Sequence, residues 1–146
     1  MQRIQEIEQK NGFELPASYK KLLAGFELFM LLEMNDQEID LHNKNRLTES
    51  VGKGLQSWEY VKIWASEDKR IQNNAVRRHD MNGESIDIER LKNSFMFADG
   101  GDGVRLYFDI QDNMSVWEYY TDDGSVGKIV DSFDEIAQNS EITEKE

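Results

Sequence analysis

The sequence predicts an α+β domain: a mixed, mostly antiparallel sheet packed with N-terminal and C-terminal helices. Three observations carry this. Near the start, Tyr19, Leu22, Leu23 and Phe26 recur at i, i+3, i+4 and i+7, the stripe of a helix buried on one side. From Phe95 to Asp109 the chain reads as strand, Gly-rich acidic turn and strand. Near the end, Ser132-Phe133-Asp134-Glu135 has the spacing of a capping box that opens a last helix. Helices first, a meander of strands after and a closing helix make the α+β class.

The elements follow in order. Ile4 and Ile7 mark a short amphipathic helix that Gly12 ends, and Pro16 suits the first turn of the second helix. Leu28 to Met34 is apolar apart from Glu33 and reads as a buried strand, with a helix extension as the alternative. Residues 35–54 are polar loop with a short strand at Glu38–Leu41, and Ser57 is a candidate N-cap for a helix carrying Trp58, Val61, Trp64 and Ala65. Residues 66–80 are polar, Asn82-Gly83 is a turn, and Ile86-Asp87-Ile88 is a short strand or the approach to the Phe95 strand. In the next strand Val104, Leu106, Phe108 and Ile110 point one way and Arg105, Tyr107 and Asp109 the other. Gln111-Asp112-Asn113 turns into a strand at Ser115–Tyr120, Asp122-Asp123-Gly124 turns again, and Lys128-Ile129-Val130 is a short final strand. Phe133, Ile136 and Ala137 form the inner face of the closing helix.

A chain of 146 residues is the size of one domain, here 1–139, with 140–146 expected to fray as an acidic tail. There is no cysteine, which excludes disulfides, thiolate metal sites and a cysteine nucleophile. No apolar run approaches a membrane span and the first residues lack a signal-peptide core, so a cytoplasmic protein is expected. The net charge of −12 is uneven: residues 99–146 carry 13 acidic side chains against Arg105, Lys128 and Lys145. Such a field repels nucleic acid and anionic lipid and draws basic partners over a Debye length of about 8–10 Å; the alternative is that the acidity serves solubility alone.

Chemistry is sparse. His42 and His79 stand 37 residues apart in polar segments and read as surface histidines, not ligands. Asp99, Asp102, Asp109 and Asp112 lack the spacing of a calcium loop, and Gly100-Gly101-Asp102-Gly103 lacks the Lys-Ser/Thr of a phosphate loop. Glu118 and Asp109 could face each other on adjacent strands, but nothing perturbs either, so no catalytic residue, cofactor or metal is expected. The clusters Lys69-Arg70 and Arg77-Arg78-His79 have Glu67, Asp68 and Asp80 beside them and read as a solvated helix or loop.

The candidate partner-binding residues are therefore the carboxylates and aromatics of the strand region: Asp99, Asp102, Tyr107, Asp109, Asp112, Trp117, Glu118, Tyr120, Asp122 and Asp123. If the sheet is covered on one face only, Tyr107 and part of the Trp117, Tyr119, Tyr120 set lie exposed among carboxylates, a patch for a basic protein. If helices cover both faces, the same aromatics are core.

Four local patterns resemble the SUKH superfamily of Smi/Knr-like proteins. They are Leu15-Pro16-Ala17-Ser18-Tyr19-Lys20-Lys21-Leu22-Leu23; Phe97-Ala98-Asp99-Gly100-Gly101-Asp102-Gly103 running to Phe108-Asp109; Val116-Trp117; and Ser132-Phe133-Asp134-Glu135-Ile136. They span residues 1–24 and 95–137 in the family's order. Where members carry an Asn-Gly-Gly-like turn, this chain departs with Ala24-Gly25-Phe26-Glu27-Leu28-Phe29. The resemblance implies a SUKH-like α+β fold and a binding function. Many bacterial members look like immunity proteins that neutralise a cognate toxin, often a nuclease or deaminase. Eukaryotic relatives resemble non-catalytic regulators of cell-wall synthesis. The expectation is an immunity protein that occludes a basic toxin through an acidic, aromatic-bearing surface, with the regulator as the alternative.

Overall fold

The structure, a computed structural model, describes residues 2–25, 29–34 and 36–145. Phe26 of the helical stripe and Leu28, the expected start of the first strand, lie outside the described residues, as do Met1, Asn35 and Glu146. In chain order the elements are α1 (Gln2–Asn11), α2 (Ala17–Gly25), β1 (Phe29–Met34), β2 (Gln37–Leu41), α3 (Lys44–Leu47), β3 (Ser50–Gly52), β4 (Leu55–Gln56), α4 (Tyr60–Glu67), β5 (Ala75–Arg77), β6 (Ser85–Asp87), α5 (Ile88–Lys92), β7 (Ser94–Gly100), β8 (Val104–Asp109), β9 (Ser115–Tyr120), β10 (Ser125–Val130), α6 (Phe133–Asn139) and β11 (Glu141–Lys145).

One seven-stranded sheet runs in the order β10-β9-β8-β7-β2-β1-β11, and each of its ladders is antiparallel. The hairpins β3-β4 and β5-β6 stand outside it. Strand alternation sorts side chains onto its two faces. On one face Phe95, Phe97, Leu106, Phe108 and Val116 meet Ile4 and Ile7 of α1, Tyr19 and Leu23 of α2, and Phe133 and Ile136 of α6. Tyr19 sits at the centre, its ring edge-on to Phe97, Phe108 and Phe133 at 4.9–5.4 Å between centroids. This is the buried position of the Leu15-Pro16…Tyr19 motif.

The other face is covered over β7–β10. There Met96, Tyr107, Trp117, Tyr119 and Val126 pack against Val61 and Ala65 of α4, Val76 and Ile86 of the β5-β6 hairpin, and Ile88 and Leu91 of α5. Both covering helices come from the polar middle of the chain. The short strand expected at Ile86-Asp87-Ile88 is β6, but it ends at Asp87, and Ile88 opens α5, capped by the Asp87 carboxylate accepting from the Glu89 N–H. The polar segment 66–80, for which the sequence predicts no strand, contains β5.

Other boundaries shift for local reasons. Ser57 begins a short 3-10 turn ahead of α4, and Gln56 takes the cap position, its N–H donating to the Glu59 carboxylate at 3.0 Å. Strand β10 extends from Lys128 back to Ser125, with a bulge before Val130. Ser132 caps α6, but the Glu135 carboxylate accepts from the N–H of Asp131, one residue earlier than the box requires. The tail expected to fray pairs instead: β11 adds to β1 at the sheet edge, where Ile142 stands opposite the buried Leu32 and packs on the core. At the opposite edge Arg78 bridges Val126, and the His79 N–H donates to the Val126 carbonyl, which closes β10 to further pairing.

Candidate protein-binding surface

The ten candidate residues divide into three groups by position. Tyr107, Asp109 and Trp117 are each 1% exposed, so they leave the candidate surface. The sheet is covered on both faces at these positions, and the aromatics of the outward-pointing set are core. Trp117 donates its indole N–H to the Ser115 hydroxyl at 2.9 Å, and the guanidinium groups of Arg78 and Arg90 lie 4.7 and 5.1 Å from its ring centre. Asp109 accepts from Arg90 Nε at 2.7 Å and from the Gln111 N–H at 3.0 Å. Burial pushes its carboxyl up, against the pull of Arg90.

Asp99, Asp112, Glu118 and Tyr120 are half-buried and internally engaged. His42 Nε2 lies 2.8 Å from Asp99 Oδ1, and His79 Nε2 lies 2.7 Å from Glu118 Oε1. Both histidines thus depart from the surface reading; His42 is 2% exposed. His79 also contacts Ser125 Oγ through Nδ1 at 2.8 Å and stacks on Tyr120 at 4.4 Å. Gly127 makes room for this ring, since a Cβ there would lie 2.5 Å from its Nε2. Their partners stand 57 and 39 residues away in sequence, which no motif announces. Asp112 accepts from Ser115 and Lys128, and Ser115 with Lys128 outweighs burial to hold its carboxyl low.

Asp102, Asp122 and Asp123 are exposed. Asp123 pairs with Arg77 at 2.8 Å and accepts from Ser125, whereas neither Asp102 nor Asp122 has a cationic partner for its carboxylate among the described residues. Much of the acidity of the last third is therefore spent inside the fold. Among the described residues no group of three His, Asp or Glu side chains is placed to hold a metal ion, and no helix is long and apolar enough to cross a membrane.

The internal pairs have a measurable signature. The hydrogen bond from Arg78 is the main reason the Asp80 carboxyl falls to about 2, and the bond from Arg70 likewise lowers Asp68. A carboxyl depressed in the folded state contributes stability above its unfolded value near 4, lost as pH falls through the folded value. Urea midpoints should accordingly hold down to about pH 4 and drop between about pH 4 and 2. A midpoint unchanged across that interval would contradict these pairings.

Together the observations define a class: an α+β domain whose sheet is sheathed on both faces over four strands, with its unpaired carboxylates outside that sheath. The chain belongs to the SMI1 / KNR4 family (SUKH-1), whose family model matches residues 2–139. Neither the curated proteins nor the solved structures gave a significant match.

Proposed function

We propose that the protein is a non-catalytic immunity protein, which binds a cognate bacterial toxin in the cytoplasm and blocks it by occlusion. The observation that supports this reading most is the pairing of family membership with an acidic surface that the fold does not neutralise. Membership in this family is compatible with immunity and regulatory roles. A net charge of −12 with unpaired surface carboxylates suits a cationic partner, because complementary fields accelerate encounter and favour the right orientation. If the toxin is a nuclease, such carboxylates would stand where substrate phosphates otherwise bind.

Tagged protein from the source organism, retained at low salt and followed by mass spectrometry, tests this. The expected result is one toxin-like domain, released by raised salt and inhibited stoichiometrically by the purified protein. Retention of a housekeeping enzyme in its place would make the chain a regulator. No retained protein at all would overturn the binding function.

A further inference from the structure

The sheet face that α4, α5 and the β5-β6 hairpin cover over β7–β10 continues across β2, β1 and β11 with its side chains open. Alternation puts Leu31 and Glu33 of β1, Glu38 and Asp40 of β2, and Glu141 and Thr143 of β11 on this side, opposite the buried Leu32, Ile39 and Leu41. All are exposed except Leu31, which is half-buried. The register sets them in two rows. Glu141, Glu33 and Glu38 stand directly opposite one another across three strands, and Thr143, Leu31, Asp40 and Asp99 form the next row.

Like charges opposed in a ladder destabilise it. Elsewhere the fold pairs several of its carboxylates: Asp68 with Arg70, Asp80 with Arg78, Asp109 with Arg90, Asp112 with Lys128, Asp123 with Arg77. On this face Glu33, Glu38, Asp40 and Glu141 have no cationic partner among the described residues. Asp36 and Asp102, on flanking turns, have none either. Asp36, Glu38, Asp40 and Asp102 line one cavity of about 370 Å³, with Leu31 in its wall. At the border with the covered half, Arg105 stands opposite Asp99 and lies over the ring of the half-buried Trp64 at 5.2 Å.

We infer that this open half of the sheet is the docking surface, and that its occupant is a lysine- or arginine-bearing segment of a protein partner. The inference rests on the binding function proposed above and names its surface. Complementary charge identifies the occupant. Four carboxylates converging on one cavity repel phosphate and suit ammonium or guanidinium groups, and Leu31 and Trp64 offer apolar contact beside them. A bound cation would also relieve the Glu33–Glu38 and Glu33–Glu141 repulsion that the free protein retains.

Decalysine is the probe, titrated into isotope-labelled protein at low salt and followed by amide shifts. The largest shifts should fall on residues 31–33, 38–40 and 141–143. The triple variant Glu33→Gln, Glu38→Gln, Asp40→Asn should bind decalysine about tenfold more weakly. A control removing the same charge elsewhere, Glu6→Gln, Glu49→Gln, Asp134→Asn, should stay within about twofold of wild type. The triple variant should melt no lower than wild type, since it relieves repulsion on an exposed face. Shifts centred on residues 121–125 or spread evenly, equal weakening by both variants, or a lower melting point for the triple variant would overturn the assignment. A partner captured as above that binds the triple variant as tightly as wild type would also refute this surface while leaving the binding function standing. Absence of any partner would remove that function, and the decalysine map would still decide the face.

Discussion

Replacing Trp117 with alanine should destabilise the protein by about 3–5 kcal/mol, the range for removing a large buried aromatic. Were Trp117 an exposed anchor, the same change would weaken partner binding and leave stability almost untouched. Its burial decides between the two: the ring is 1% exposed, lies 6.5 Å from Tyr107 in a stacked pair, and has guanidinium groups of Arg78 and Arg90 over it. The loss would leave a void between β9 and its covering layer, together with a Ser115 hydroxyl deprived of its indole donor. Urea denaturation followed by circular dichroism measures it. With total stabilities of about 5–15 kcal/mol, the variant should be partly unfolded or markedly less heat-resistant. A change under about 1 kcal/mol would contradict the covered-sheet arrangement.

Replacing Arg90 with alanine should cost a similar amount, about 3–5 kcal/mol, because it strands the buried Asp109 carboxylate without its 2.7 Å partner. Two measurements separate this from lost packing against Trp117. Adding Asp109→Asn to Arg90→Ala should recover part of the loss, since the uncompensated charge is gone. The penalty should also shrink as pH falls. Burial raises the folded-state value of Asp109, so its charged form weighs against folding above that value and protonation relieves the burden below it. A penalty that is independent of pH and unrelieved by Asp109→Asn would place the effect in packing alone.

Much of the fold was legible because it depends on local periodicity. The stripe through Tyr19 and Leu23, the alternation of β8, the bounds of β9 and the cap of α6 each follow from residues within a turn or a strand of one another. Segments without such a signal were read poorly. Ile88 and Leu91 are the inward residues of a helix of only five residues, too short for a periodic stripe, and β5 shows one buried residue, Val76, in a polar run. Strand β11 has a single inward apolar side chain, Ile142, so its order comes from pairing with β1 and not from composition.

The candidate site was legible only as an inventory of charge. By itself the sequence determined that the chain is acidic, that it holds no cysteine chemistry, and that Tyr107 and Asp109 share one side of their strand while Leu106 and Phe108 share the other. Alternation states which side chains point the same way, but whether a face meets water depends on elements far along the chain. Here α4, α5 and β5-β6 bury one half of that face and leave the half bearing Glu33, Glu38, Asp40 and Glu141 open. Pairing is equally non-local, as with His42 and Asp99 or His79 and Glu118. A carboxylate's availability to a partner is set by the cation that folding brings within about 4 Å of it, and only the tertiary structure decides that.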